Sequence, residues 1–323
     1  MALKRISREN ANKYVFDRNH PPVLRVSAGE KFVIETEDAY SGEVRSPDQL
    51  SVPEHRPSLR HTPPLSNPMG GPIHVEGAEP GDVLAVTVHE IIPDSQGATS
   101  LRLGSGWLGD SKTWPMLSEP ITKIIPHLPG PSGTLKDGIA RFSDSISFPL
   151  RPFIGTIGLA PEREVETSLV GQGPWGGNLD CWDIRPGAKM LINCYNEGGL
   201  LYCGDVHGSQ GDGELTTTAD ETRAEVTLSC EVIKGRRIPF LRLEKPDSLV
   251  ALYCFRPLEG AMEMAATNLL DWLVNDYGMD AAEVYMLFSV CPDFKINIYQ
   301  AVRLGRLNYT VGAELPRRYL PVK

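Results

Sequence analysis

No stretch of this sequence is long and apolar enough to span a membrane, and its first residues, MALKRISRENANKY, lack the apolar core of a secretory signal. Both absences lead us to expect a cytoplasmic protein with no membrane partner. Positive charge is also scarce. The 32 lysines and arginines are outnumbered by 41 acidic residues, for a net charge of −9, and they are scattered along the chain. Nucleic acid and anionic membranes are bound by a basic face, so neither is expected as a ligand. None of the six cysteines falls in a C-x-x-C pair. In a cytoplasmic chain of this length they read as reduced, mostly buried thiols, not as a disulfide framework.

Several catalytic signatures are missing as well. No Gly-Lys-Ser/Thr follows the glycines, which excludes a phosphate loop. A calcium loop starting at Asp205 would need Gly at its sixth position and Glu at its twelfth, where Gln210 and Thr216 stand. Neither an H-E-x-x-H zinc helix nor a G-x-S-x-G nucleophile elbow occurs.

What the chain does have is punctuation. It carries 31 glycines and 27 prolines in 323 residues, which suits many short strands joined by turns. Strands are expected at residues 31–37, 82–92, 190–195, 200–205, 224–232 and 248–254. In 82–92 Val and Ile fall on both faces, the mark of a well-covered central strand. Residues 151–162 (RPFIGTIGLAPE) read as an apolar strand whose two glycines allow close backbone approach. Residues 40–72 are polar and Pro-rich, and a loop of that length inside a folded domain is functional or mobile. Residues 101–152 are similarly loop-like, with Trp107 and Trp114 as expected anchors. Helix is clear only near the end. Residues 259–277 place Met262, Ala265, Ala266, Leu269 and Leu273 at three-to-four spacing before Gly278. Asp280 then opens a second helix, with Glu283 three residues on, and a strand follows at 295–302. The expected fold is mainly β with a smaller α+β part. A sandwich- or barrel-like catalytic body would span residues 1–255, with a helix–helix–strand unit at 256–323 packed on it.

The chemistry concentrates in residues 176–214, GGNLDCWDIRPGAKMLINCYNEGGLLYCGDVHGSQGDGE, where carboxylates and one histidine sit among glycines. Carboxylate oxygen and imidazole nitrogen are the usual donors for a divalent metal. Asp205 and His207, two apart, face the same side if the preceding strand runs into the loop. Taken alone, that pair reads more readily as a turn in which Asp caps and His lies in solvent. Asp212 and Glu214, again two apart, tip the balance toward a site, and Asp180 after its glycine pair is a further donor. Cys203, close by, reads as a packed strand thiol. In the earlier block NPMGGPIHVEGAEPGDVLAV, Pro80-Gly81-Asp82 is a tight turn feeding a strand, while His74 and Glu76 are weaker site candidates.

Four blocks in order resemble the acetamidase/formamidase family: NPMGGPIHVEGAEPGDVLAV, RPFIGTIGLAPE, GGNLD with RPGAKMLINCYNEGGLLYCGDVHGSQGDGE, and the tail from Met262 through Ser289 to Gln300. They span most of the chain. The pattern matches at Asp180, Asp205, His207, Gln210, Asp212 and Glu214, and at Glu76, Glu79 and Asp82. It departs at Gly70, where members commonly carry a hydroxyl residue, and at His74, where an aromatic is common. The chain is also shorter than typical formamidases. The resemblance implies hydrolysis of the C–N bond of a small non-peptide amide to carboxylate and ammonia, a β-rich fold, a divalent metal (zinc above all) and a homo-oligomer, a dimer first.

From donor chemistry we expect Asp180, Asp205 and His207 to hold the metal, with Glu214 and Asp212 catalytic. Gln210, Gly211, Gly213 and Glu76 would contact substrate, the Gly211–Gly213 turn supplying N–H groups to an oxyanion. Two alternatives stay open on the same fold: a lactam or carbamoyl hydrolase, and a non-catalytic, metal-stabilised scaffold for a small ligand.

Overall fold

The computed structural model describes residues 3–321. The strands that matter here are β1 (Lys31–Thr36), β2 (Met69–Val75), β3 (Val83–Leu101), β4 (Ile121–Leu128), β5 (Phe153–Leu159), β6 (Gly176–Asn178), β7 (Lys189–Asn193), β8 (Leu201–His207), β9 (Glu221–Ile233), β10 (Arg242–Glu244) and β11 (Ser248–Phe255). Helices α1 (Leu258–Tyr277) and α2 (Ala281–Val290) follow, then β12 (Lys295–Gln300) and β13 (Tyr309–Pro316). Among the described residues, 18 strands join in one curled, mostly antiparallel sheet that forms a half-barrel, with two α-helices outside it. No described helix is long and apolar enough to cross a membrane.

The central strand is longer than expected. β3 continues through Pro93 and Gly97 to Leu101 because β9 pairs with it almost throughout, from Val83↔Ile233 to Ala98↔Glu221. Of two register shifts in that ladder, the one at Thr222/Ala224 lies opposite Pro93–Gly97 and absorbs the irregularity they introduce; the other, at Thr227/Leu228, lies opposite Val88 and Glu90. Residues 101–152 likewise contain more strand than their composition suggests: the Ile-rich β4 pairs with the end of β3, and Ile139–Arg141 and Ser147–Pro149 extend it as hairpins. Trp107 is anchored, donating its indole N–H to the Ala301 carbonyl at 2.7 Å. Trp114 is 57% exposed and anchors nothing.

Two apolar layers support the sheet. One fills the inside of the curl, with Phe32, Ile34, Ile73, Leu84, Ile154, Leu201 and Val226 among its members. The other lies between the outer face and α1, whose Ala261, Ala265, Leu269, Trp272 and Leu273 recur at helical spacing and pack on Leu249, Ala251, Val311 and Ala313. The helix ends where expected: Gly278 takes φ +67 as the C-cap, and the Asp280 carboxylate accepts from the N–H groups of Ala282 and Glu283 to start α2. β11 pairs with both β10 and β13, so the C-terminal strands continue the sheet edge. All six cysteines are free; Cys291 is half-buried and the other five are buried.

Candidate active site

Strand pairing assembles the site. β8 is buried along its whole length and lies between β5 and β2, with β9 meeting its final residues. His207 is paired across the ladder with Glu221, so a carboxylate far away in sequence lands beside the imidazole. On the β5 side, Thr156 pairs with Gly204 and with Asn178 of β6. The chain leaving β6 then turns at Leu179 and Asp180, whose N–H groups both donate to the Gly155 carbonyl, at 2.9 and 3.1 Å. This turn swings Asp180 toward Asp205. Gly155 must lack a side chain, because a Cβ there would lie 2.8 Å from the Asp205 carbonyl oxygen and 2.9 Å from a carboxylate oxygen of each aspartate.

The ligand atoms of Asp180, Asp205 and His207 lie within 4.8 Å of one another, as do those of His207, Glu214 and Glu221, and all five residues are buried. Each group can hold a divalent cation. Asp205 Oδ2 is held by Asn67 Nδ2–H at 2.7 Å and the Thr156 hydroxyl at 2.9 Å. Asp180 Oδ2 accepts from Gln300 Nε2 at 2.9 Å. Asp205 Oδ1 and Glu221 Oε2 are buried and accept no hydrogen bond among the described residues. They lie 3.5 and 3.2 Å from His207 Nε2, with Asp180 Oδ1 at 3.9 Å.

Gln210 fixes how the imidazole is used. Its Nε2 donates to two backbone carbonyls, Asp180 at 3.0 Å and Tyr299 at 2.8 Å, which leaves Oε1 facing His207 Nδ1 at 2.9 Å. An amide oxygen only accepts, so Nδ1 carries a proton, and Nε2 is the ring nitrogen turned toward the carboxylates. Phe153, edge-on at 4.9 Å between ring centroids, closes the other side of the ring.

Burial pushes the Asp180 carboxyl up to about 7, and the Asp205 charge adds to this. Glu214 rises well above its ordinary value, again through burial first and then the charge of Asp180. Burial would depress His207, but Glu221 and Asp205 together outweigh it and hold the imidazole well above its usual range. Four converging carboxylates cannot all ionise around one imidazole without a further positive charge.

Backbone strain marks the same place. Asn67, Asp180, Asp205 and Glu214 all have φ between +46 and +56, in the left-handed region that side chains other than Asn and Asp seldom adopt. All four border one cavity of about 140 Å³. The long loop after β1 forms its other wall through Tyr40, Arg56 and Ser66.

The remaining candidates separate. Residues 208–217 turn rather than extend, so two-residue alternation fails there, and Glu214 points inward while Asp212 is exposed. Gln210, Gly211 and Asp212 border a larger surface bowl of about 860 Å³, and Glu214 and Thr218 line both that bowl and the inner cavity. The Gly213 N–H donates to the Ile298 carbonyl at 2.8 Å. Glu76 is exposed and accepts from Ser27, Glu79 and Asp82 pair with Lys234 at the surface turn, and His74 packs against Gly198. The Cys203 thiol is buried and pushed up by that burial. Glu221, Thr156 and Asn67 are the additions that sequence reading missed. Their only sequence signal is the Asp-Glu pair opening β9.

Comparison with known proteins follows the same lines. A family model described as the acetamidase/formamidase family matches residues 3–173 and 169–246. An acetamidase of Mycolicibacterium smegmatis is 26% identical over 266 residues, covering 67% of this chain, and the chain spans only 64% of that relative's length. Crystal structures of acetamidases from Bacillus halodurans and Yersinia enterocolitica are both 30% identical. The first has a TM-score of 0.85 and covers 98% of this chain and 100% of its own; the second has 0.86, with 99% and 94%.

Proposed function

Because this chain belongs to the acetamidase/formamidase family, we propose that it hydrolyses the C–N bond of a small non-peptide amide, using one divalent ion held by Asp180, Asp205 and His207. The observation that carries this reading is the orientation of His207: Gln210 holds its Nδ1–H, so Nε2 turns toward converged carboxylates, two of whose oxygens accept no hydrogen bond among the described residues. That arrangement is costly as it stands and becomes favourable around a cation. One imidazole nitrogen with carboxylate oxygens suits zinc.

When bound, such an ion acidifies water and polarises an amide carbonyl. The chain's own residues do the rest. Asn67 and Thr156 hold Asp205, and Gln300 holds Asp180, so both present their other oxygen inward. Glu214 lines both the inner cavity and the outer bowl. It takes a proton from the attacking water as the oxygen bonds to the amide carbon. It then returns that proton to the nitrogen as the C–N bond breaks, giving carboxylate and ammonia.

Glu214→Gln tests the assignment. The variant is expected to retain metal, measured by elemental analysis, and to lose roughly 10²- to 10⁴-fold in turnover of formamide or acetamide. Ammonia release at the parental rate would remove Glu214 from the mechanism.

A further inference from the structure

The cavity that holds the acidic cluster is also bordered by two arginines, Arg56 and Arg102. Arg56 is only 2% exposed. Its Nη groups donate to neutral partners: the Ser51 hydroxyl at 3.0 Å, the Ser66 hydroxyl at 3.2 Å and the Ala39 carbonyl at 3.3 Å. The guanidinium lies over the Tyr40 ring at 4.8 Å. Among the described residues the one carboxylate within ion-pair distance is Glu43, 3.7 Å from Nε and itself taken up by the Ser58 N–H and hydroxyl, while Asp38 attracts the guanidinium from farther off. Arg102 donates to the Ser105 hydroxyl at 3.2 Å and forms no ion pair among the described residues.

A buried guanidinium is seldom left with neutral partners, since desolvation costs several kcal/mol that a paired anion offsets. Neither arginine pairs with any of the four clustered carboxylates. Neither guanidinium is hydrogen-bonded to a carboxylate among the described residues, both arginines border the same small space, and a guanidinium fork is shaped to grip a carboxylate. A simple alkyl amide would leave it unused.

Resting on the amide-hydrolysis reading, we propose that the preferred substrate is a short amido acid. Its amide carbon lies at the Asp180–Asp205–His207 cluster and its terminal carboxylate on Arg56 and Arg102. Water adds to the amide carbon, the C–N bond breaks with the proton going to nitrogen, and a dicarboxylate and ammonia leave. The distal carboxylate is unchanged throughout.

The test compares succinamate with succinamide, which replaces the distal carboxylate by a neutral amide of the same shape. The metal-loaded wild-type enzyme is expected to favour succinamate by roughly tenfold or more in kcat/KM, the effect of one desolvated charge pair. In Arg102→Gln, half-buried and so less apt to unfold than a change at Arg56, that preference is expected to collapse through KM, with Arg102→Lys restoring part of it. Equal kcat/KM for the two compounds in the wild type overturns the proposal, as does an unchanged preference in Arg102→Gln. If no amide is hydrolysed at all, the hydrolase reading has failed on its own. The arginine pair is then decided by calorimetry: succinate binding that weakens in Arg102→Gln supports it, and absence of succinate binding overturns it.

Discussion

At Gly155 one added methyl group would collide with the backbone of Asp205 and with both aspartate carboxylates, at 2.8–2.9 Å. Gly155→Ala is therefore expected to push Asp180 and Asp205 apart while leaving the sheet in place. Metal affinity, read by competition with a chromophoric chelator, should fall by roughly 10- to 100-fold, the usual effect of disturbing groups behind a metal's ligands. Unchanged affinity would mean that the two aspartates do not share an ion. A second residue controls stability. Burial, with the charge of Glu37, pushes the Asp38 carboxyl from its ordinary value up to about 6, against the pull of the Gly42 N–H and two arginines. The folded protein thus holds a proton there that the unfolded chain has lost. Stability falls as pH rises between about 4 and about 6, by up to about 3 kcal/mol, and this loss is fully present at pH 8. Asp38→Asn keeps an oxygen to accept from Tyr40 and Gly42. It should raise the urea midpoint at pH 8 and leave it nearly unchanged at pH 4. A uniform shift at both pH values would show that charge is not the cause.

Elements differ in how openly the sequence announces them. Both helices are legible because their signals are local: apolar residues at helical spacing, Gly278 at one end and Asp280 at the start of the next. The Asp280 cap is expected to contribute about 1 kcal/mol, so Asp280→Ala should lower the thermal midpoint while Asp280→Ser largely preserves it. Equal loss in both variants would point to a contact other than the cap. β3 is less legible, since Pro93 and Gly97 read as stops and only the distant β9 holds the chain extended through them. The site divides in the same way. Asp205, His207 and Glu214 stand together in a glycine-rich run, and Asp180 follows its own glycine pair, so donor chemistry alone gathers them. Glu221 joins through the cross-strand partner of His207, and Asn67 through a loop 138 residues from Asp205. No local pattern encodes such pairings. The shared face expected of Asp212 and Glu214 is absent for the opposite reason: two-residue spacing implies it only in a strand, and a turn with Glu214 at φ +48 leaves Asp212 exposed and Glu214 buried.

Across the whole molecule, the curled sheet supplies a rigid floor and the polar loop after β1 closes over it. That loop, which composition alone left as functional or mobile, contributes Tyr40, Ser51, Arg56, Ser66 and Asn67 to the cavity wall. Strands carry Asp205, His207 and Glu221 and hold the turn that bears Asp180, while the loop walls the cavity from the other side, a division of labour common to sites built on scaffolds. The cost of gathering Asp180, Asp205, Glu214 and Glu221 in a buried cluster is borne by the surrounding 18-stranded framework, and a cation bound as proposed would offset it. The most direct measurement strips the purified protein with a chelator and titrates Zn²⁺ back while recording ammonia release from a small amide. Activity absent from the stripped protein and restored to a plateau at one equivalent is the expected result. Full ammonia release from protein shown by elemental analysis to be metal-free would contradict it.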